Sequence, residues 1–161
     1  MSKSSIRVEK PSDTGRLRAI VALSFSRFMG FFATQSLLSH EGETLVAEAQ
    51  GTVAGFAKLI EFKIASVEYG CILWIAVHPS FRRRGIAREL TAEGIRRLKE
   101  RGAKLIFASA QRRKTGALNV LEQSGFRRVG FRELWRIFGA RVFEFYGDIW
   151  LAPGEVVLLH D

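Results

Sequence analysis

Residues 71–90 read Cys-Ile-Leu-Trp-Ile-Ala-Val-His-Pro-Ser-Phe-Arg-Arg-Arg-Gly-Ile-Ala-Arg-Glu-Leu. The apolar run 71–77 contains Ile and Val and is stopped by Pro79, which marks a short buried strand. From Gly85 onward, Ala87, Leu90, Thr91, Gly94 and Leu98 recur about every three to four residues, the spacing of one helix face. The unit is therefore strand, basic turn, helix. The first turn of a helix leaves backbone N–H groups without intrahelical partners, at the positive end of the helix dipole. A glycine there lets a ligand approach the main chain, and Arg82, Arg83 and Arg84 add fixed positive charge. These features are suited to holding a phosphate or pyrophosphate.

The same residues resemble the GNAT superfamily of N-acetyltransferases. Arg82-Arg83-Arg84-Gly85-Ile86-Ala87 fits that family's (Gln/Arg)-x-x-Gly-x-(Gly/Ala) signature, whose loop binds the pyrophosphate of acetyl-coenzyme A. Ala76-Val77-His78-Pro79 looks like the end of the family's fourth strand, and Ala117-Leu118 with Gly125-Phe126 like its fourth helix meeting its sixth strand. The resemblance covers most of residues 45–130. It implies an α/β (α+β) fold, a mixed central sheet of six to seven strands flanked by helices. It also implies acetyl-CoA as cosubstrate, no metal, and a small-molecule or peptide amine as acceptor.

With 161 residues a single domain, 1–161, is expected, large enough to bury roughly 70% of the unfolded chain's surface. The first ten residues contain no apolar core of a secretory signal. Residues 19–38 are apolar-rich but interrupted by Arg27, and a membrane span wants roughly 18 or more uncharged residues, so none is expected. The one cysteine, Cys71, can form no intrachain disulfide, which points to a reducing cytoplasm. The net charge of +9 is concentrated: residues 80–114 hold twelve Lys/Arg against three Glu, a surplus equal to that of the whole chain. A basic chain first brings nucleic acid to mind. A charge confined to the turn, helix and following loop is met equally well by the three phosphates of coenzyme A. The strand-to-helix placement of the arginines favours coenzyme A. A basic nucleic-acid-binding domain and a coenzyme A-binding regulatory domain without catalysis are the alternatives.

Along the chain, residues 5–9 read as a strand, Pro11-Ser12-Asp13 as its stop and the cap of a helix carrying Leu17, Ile20, Val21 and Phe25. Phe28, Met29, Phe31, Phe32, Leu37 and Leu38 continue into a second short helix or loop. Strands are expected at 44–49 and 53–60, joined around Gln50-Gly51, with 61–66 prolonging the second. A helix at 85–101, a strand at 104–110, a helix at 116–124 and strands at 126–131 and 156–160 complete the order. Between the last two strands, residues 131–146 repeat Phe131, Leu134, Trp135, Phe138, Val142 and Phe145 at helical spacing, with Gly139 as a break. This amphipathic insertion has four readings: a helix on its own core, a homodimer contact, a cover over the acceptor cleft, or a membrane-surface contact.

Acetyl transfer to an amine requires that the amine lose a proton, that charge on the carbonyl oxygen be stabilised, and that the thiolate be protonated. The resemblance assigns the main chain of Ile75, Ala76 and Val77 to the acetyl carbonyl and pantetheine arm. It assigns Arg82, Arg83, Arg84, Gly85, Ile86 and Ala87 to the pyrophosphate, with Arg88 and Lys114 near phosphate. The proton-handling positions depart from the family: Cys71 and Leu73 stand where a Glu or His is frequent, Leu121 where the general-acid Tyr falls, and Lys114 where an Asn is usual. Tyr69, on the face of the strand shared with Cys71, Leu73, Ile75 and Val77, is then the expected phenol, and Glu68 the expected water-mediated base, with Glu61 a second candidate. Tyr146 is the other tyrosine. Cys71 itself reads as a small buried hydrophobe.

Overall fold

The structure, a computed structural model, describes residues 4–161. The chain runs β1 (Ser5–Val8), α1 (Thr14–Ser24), α2 (Arg27–Leu38), β2 (Glu43–Ala49), β3 (Thr52–Ile64), β4 (Val67–Val77), α3 (Ile86–Glu100), β5 (Ile106–Gln111), α4 (Thr115–Gln123), β6 (Arg127–Val129), α5 (Phe131–Phe138), α6 (Val142–Asp148) and β7 (Glu155–His160). The strands form one 7-stranded sheet in the order β1-β2-β3-β4-β5-β7-β6. The β4–β5 ladder is parallel, and the β1–β2, β2–β3, β5–β7 and β6–β7 ladders are antiparallel. This is the mixed sheet flanked by helices expected from the sequence. Contacts divide the chain into two compact units, one of residues up to Leu59 with Trp74–Gly94, the other of Ile60–Leu73 with the residues from Ile95 onward.

In the first unit the β2–β3 hairpin closes through Gln50 (φ 52°) and Gly51 (φ 73°), the left-handed pair that matches strand twist. β3 is buried on both faces from Val53 to Ile60. That stretch includes Lys58, whose ammonium is pushed below its usual pKa by burial and partly supported by the charges of Glu9 and Glu41. α1 and α2 bury Leu17, Ile20, Val21, Met29, Ala33 and Leu37. Ser26 caps α2 by accepting from the Met29 N–H at 3.3 Å. Asp13 does not cap α1. It sits in a short 3-10 turn, where its carboxylate accepts from the Lys10 N–H at 2.7 Å and from Arg7 at 2.8 and 3.0 Å. The Arg7 hydrogen bonds hold it below the usual carboxylate range.

In the second unit β5 lies between β4 and β7. β4 starts four residues earlier than expected, because Ala65 (φ 50°) and Ser66 (φ 64°) make a two-residue left-handed turn that no glycine announces. Gly70 is required where it stands, since an added Cβ would lie 3.0 Å from Leu98 of α3. The ladder to β5 runs from Gly70–Ile106 to Ile72–Ala108. Residues 131–148 form two helices rather than one, separated at Gly139 (φ 58°, ψ −139°), a backbone that side-chain-bearing residues avoid. Their buried side chains, Leu134, Phe138, Val142 and Phe145, pack into this unit's own core. Phe131, Trp135 and Phe143 stay exposed.

Candidate functional site

The basic loop belongs to the first unit. β4 ends at Val77, and Pro79–Phe81 turn once as a 3-10 helix whose N–H at Ser80 is taken by His78 Nδ1 at 3.1 Å. Phe81 is buried and anchors the turn. Arg83 (φ 61°) and Gly85 (φ 81°) are both left-handed, so the main chain reverses twice before α3 begins at the buried Ile86. Nothing lies within 4 Å of the place where a Cβ on Gly85 would stand. The glycine thus presents bare backbone to open space beside the N-terminal turn of a 15-residue helix.

The three arginines are not equivalent. Arg82 bonds back onto the chain while staying exposed: its Nε donates to the Val77 carbonyl at 3.0 Å and its Nη2 to Ser24 Oγ at 3.4 Å. It therefore braces the loop against the end of β4 and α1. Arg84 lies over the Phe81 ring, 5.3 Å from its centroid. Arg82, Arg83, Arg84 and Arg88 are all exposed. On β4, Ile75 is half-buried while Ala76 and Val77 are buried. Gly55 of β3 admits this close approach, since a Cβ there would meet the Ala76 carbonyl oxygen at 2.8 Å.

The remaining expected residues belong to the second unit. Tyr69 is 6% exposed. Its ring packs against Phe62 (5.7 Å), Phe107 (6.2 Å) and Phe138 (5.1 Å), and burial raises its phenol above the ordinary value. The Tyr69 ring is thus part of an aromatic core to which α5 contributes Phe138. Glu68 pairs with Lys63 at 3.0 Å and Glu61 with Arg101 at 2.9 Å, which spends both carboxylates on exposed ion pairs. Lys114 stands at the start of α4, its N–H on the Gln111 carbonyl at 2.9 Å. Leu121 is core. Cys71 is fully buried, and burial together with the Glu155 charge raises its thiol well above the ordinary range, so it is no nucleophile.

One group had no signal in sequence. Glu155 opens β7 opposite Gln111 of β5. Its Oε2 accepts from the Ala152 N–H at 2.9 Å and from Ser109 Oγ at 3.3 Å, and burial raises its pKa above the usual carboxylate value. Only the pairing of β5 with β7 brings Ser109 and Glu155 together, across 46 residues of chain. Among the described residues no cluster of three His, Cys, Asp or Glu is arranged for a metal, and no helix is long and apolar enough to cross a membrane.

Known proteins share this architecture. A Bacillus subtilis acetyltransferase in complex with CoA is 20% identical and superposes with a TM-score of 0.69 over 99% of each chain. A protein assigned to the GNAT acetyltransferases from Desulfovibrio desulfuricans is 20% identical, with a TM-score of 0.74 over 99% of each chain. The ribosomal-protein-S18-alanine N-acetyltransferase of Escherichia coli is 15% identical, with a TM-score of 0.67 over 98% of this chain and 93% of its own. At these identities the likeness is one of fold. No curated protein matches the sequence. Residues 17–126, well over half of the chain, match the acetyltransferase (GNAT) family, and the chain belongs to that family.

Proposed function

We propose that the protein is an acetyl-CoA-dependent N-acetyltransferase that moves an acetyl group to a primary amine by direct attack. The observation that carries this reading is the loop at Gly85: left-handed, open on its Cβ side, and placed at the start of α3. A pyrophosphate fits such a place because main-chain N–H groups of the first helical turn need acceptors and the dipole favours negative charge. In this reading the main chain at Gly85, Ile86 and Ala87 meets the pyrophosphate, Arg83, Arg84 and Arg88 supply positive charge, and Arg82 fixes the loop. The main chain of Ile75, Ala76 and Val77 receives the pantetheine arm and orients the carbonyl. Acetyl-CoA, when bound, supplies the activated thioester. Residues 1–161 are read as one functional domain, because β3, β4 and α3 each contribute to both compact units.

The CoA complex of the Bacillus subtilis relative supports the cosubstrate, and the Escherichia coli relative, by name an alanine N-acetyltransferase, supports an amine acceptor. On α2, Phe28, Phe31 and Phe32 form an edge-to-face group with centroids 5.1 and 5.5 Å apart, and Phe28 and Phe31 are 66% and 60% exposed. Exposed rings of this kind favour an apolar or aromatic acceptor. The buried lone cysteine accords with a reducing cytoplasm.

The test is ligand-dependent melting followed by turnover. Acetyl-CoA at 100 times its dissociation constant should stabilise the fold by roughly 2.7 kcal/mol. CoA release is then measured with 2-phenylethylamine, free amino acids and an alanine-terminated peptide. Absence of a melting shift with acetyl-CoA, together with tight binding of duplex DNA or single-stranded RNA at physiological salt, would transfer the basic segment to nucleic acid.

A further inference from the structure

We infer that the indole N–H of Trp74 is the polar handle of the acceptor site, a donor that selects amines carrying a carbonyl or carboxylate oxygen beside an apolar body. The inference rests on the acetyltransferase reading and names the class of amine within it. Trp74, Phe25, Ser24, Arg82 and the loop at Gly85 all belong to the first unit.

Trp74 is 8% exposed, and among the described residues its Nε1 has no hydrogen-bond partner. A tryptophan N–H taken out of water normally finds an acceptor, because leaving it unpaired forfeits its hydration. The ring packed against it supplies no oxygen. Phe25 stands edge to face with the indole, 5.3 Å between centroids, and a phenyl face is only a weak acceptor. The indole is neutral and has one N–H, so it suits a single carbonyl or carboxylate oxygen rather than a phosphate.

The place of this donor connects it to the reaction. Side chains alternate along β4, so Trp74 shares a face with Ile72 and Ala76. Its contact with Phe25 identifies that face as the one under the junction of α1 and α2. The next residue, Ile75, begins the main-chain stretch assigned to the pantetheine arm and the acetyl carbonyl. The junction is two residues long: Phe25 ends α1 in extended backbone (φ −122°, ψ 155°), and Ser26 caps α2. Arg82 ties the preceding Ser24 to the Val77 carbonyl, which holds the junction at the end of β4. Phe25 is half-exposed, and its ring turns toward solvent when the acceptor enters, a side-chain motion of the fast class. An α-amino acid, or the first residue of a peptide, brings the required oxygen next to its amine. An arylalkylamine without that oxygen leaves the N–H unpaired and is the poorer substrate.

The experiment compares kcat/KM in wild type and Trp74→Phe for three acceptors with the same aromatic body. Phenylalaninamide carries a carbonyl, phenylalanine a carboxylate, and 2-phenylethylamine neither. Each acceptor is compared with itself between the two enzymes, so differences in amine basicity cancel. Phenylalaninamide, phenylalanine or both should lose about tenfold in the variant, which of them telling a peptide-like acceptor from a free amino acid. The value for 2-phenylethylamine should stay within a factor of about two. A second measurement needs no turnover and no Trp74 variant. In proton–nitrogen correlation spectra of the wild type with CoA, the Trp74 indole signal should move downfield with the oxygen-bearing acceptors and stay in place with 2-phenylethylamine. That signal is assigned by elimination among the three tryptophans, using Trp135→Phe and Trp150→Phe at exposed positions. An equal fall with all three acceptors, no fall with any, or an unmoved Trp74 signal would overturn the inference, as would acetyl-CoA binding without turnover of any of the three. Should acetyl-CoA neither shift the melting curve nor release CoA with any acceptor, the acetyltransferase reading itself fails.

Discussion

The arginine loop of the first unit and the Glu155 carboxylate of the second differ in how the chain builds their settings. At the loop the exposed feature is the main chain itself. Gly85 contributes by lacking a side chain, Arg82 by bonding to the Val77 carbonyl, and Ile86 by pinning the start of α3. At Glu155 the feature is a half-buried side chain, and its setting is assembled from separate segments: Ser109 of β5 and Ala152 before β7. A backbone site can be written in six consecutive residues. A buried side-chain site is written across the whole second half of the chain.

That contrast is broken or sharpened first by the packing beneath the second unit. Phe145 is fully buried, with Phe107 and Phe138 each 4.6 Å away between centroids. Phe145→Ala should cost about 3–5 kcal/mol of stability, read as a lower denaturant midpoint. A loss under about 1 kcal/mol would mean that α5 and α6 are dispensable cover rather than core. The loop should behave differently. Gly85→Val places a branched side chain on left-handed backbone and over the N–H groups meant for phosphate, so acetyl-CoA affinity should drop roughly 100-fold, about 2.7 kcal/mol. Folding should be retained, since no atom lies within 4 Å of the new Cβ. Calorimetric affinity within a factor of about three of wild type would move the binding site away from the loop.

The smallest effect concerns pH and stability. Because the Glu155 pKa is raised in the native state, its ionisation opposes folding. Below the ordinary carboxylate value of about 4.3 the group is protonated in both states and no penalty exists. As pH rises past that value the unfolded chain ionises first, and stability falls until the native group ionises too. Glu155→Gln should therefore melt at a higher temperature than wild type at pH 7 and at the same temperature near pH 3. A gap that persists undiminished at pH 3 would contradict a burial penalty at this position.

How much of the molecule was legible beforehand follows the same division. The strand, basic turn and helix of residues 71–90, the Gln50-Gly51 hairpin and the β-α order were readable because each is fixed by neighbours in sequence. The packing of the Tyr69 ring was not legible, because alternation along a strand tells which residues share a face, while burial depends on what later covers that face. Here α5 covers it, bringing Phe138 to 5.1 Å from the Tyr69 ring. The role of Arg82 was half legible: its charge could be seen, its bond to Val77 could not. Glu155 carried no signal at all, since neither a Gly-Glu-Val stretch at a strand start nor a serine on β5 is unusual until β5 and β7 are paired.

The turn at Ala65 and Ser66 has a consequence for the order in which the sheet assembles. Both residues occupy left-handed backbone, where a side chain costs roughly 1–2 kcal/mol per residue. The Gln50-Gly51 turn incurs that cost once and the Ala65-Ser66 turn twice, so the β2–β3 hairpin can close on local grounds while β3–β4 closes against its own turn. Nucleation then belongs to the β2–β3 end of the chain, and the β3–β4 tip joins only when packing from elsewhere compensates its strain. A Ser66→Gly variant would refold faster if that tip were already formed at the barrier, and at the wild-type rate if it forms afterwards, as this order requires.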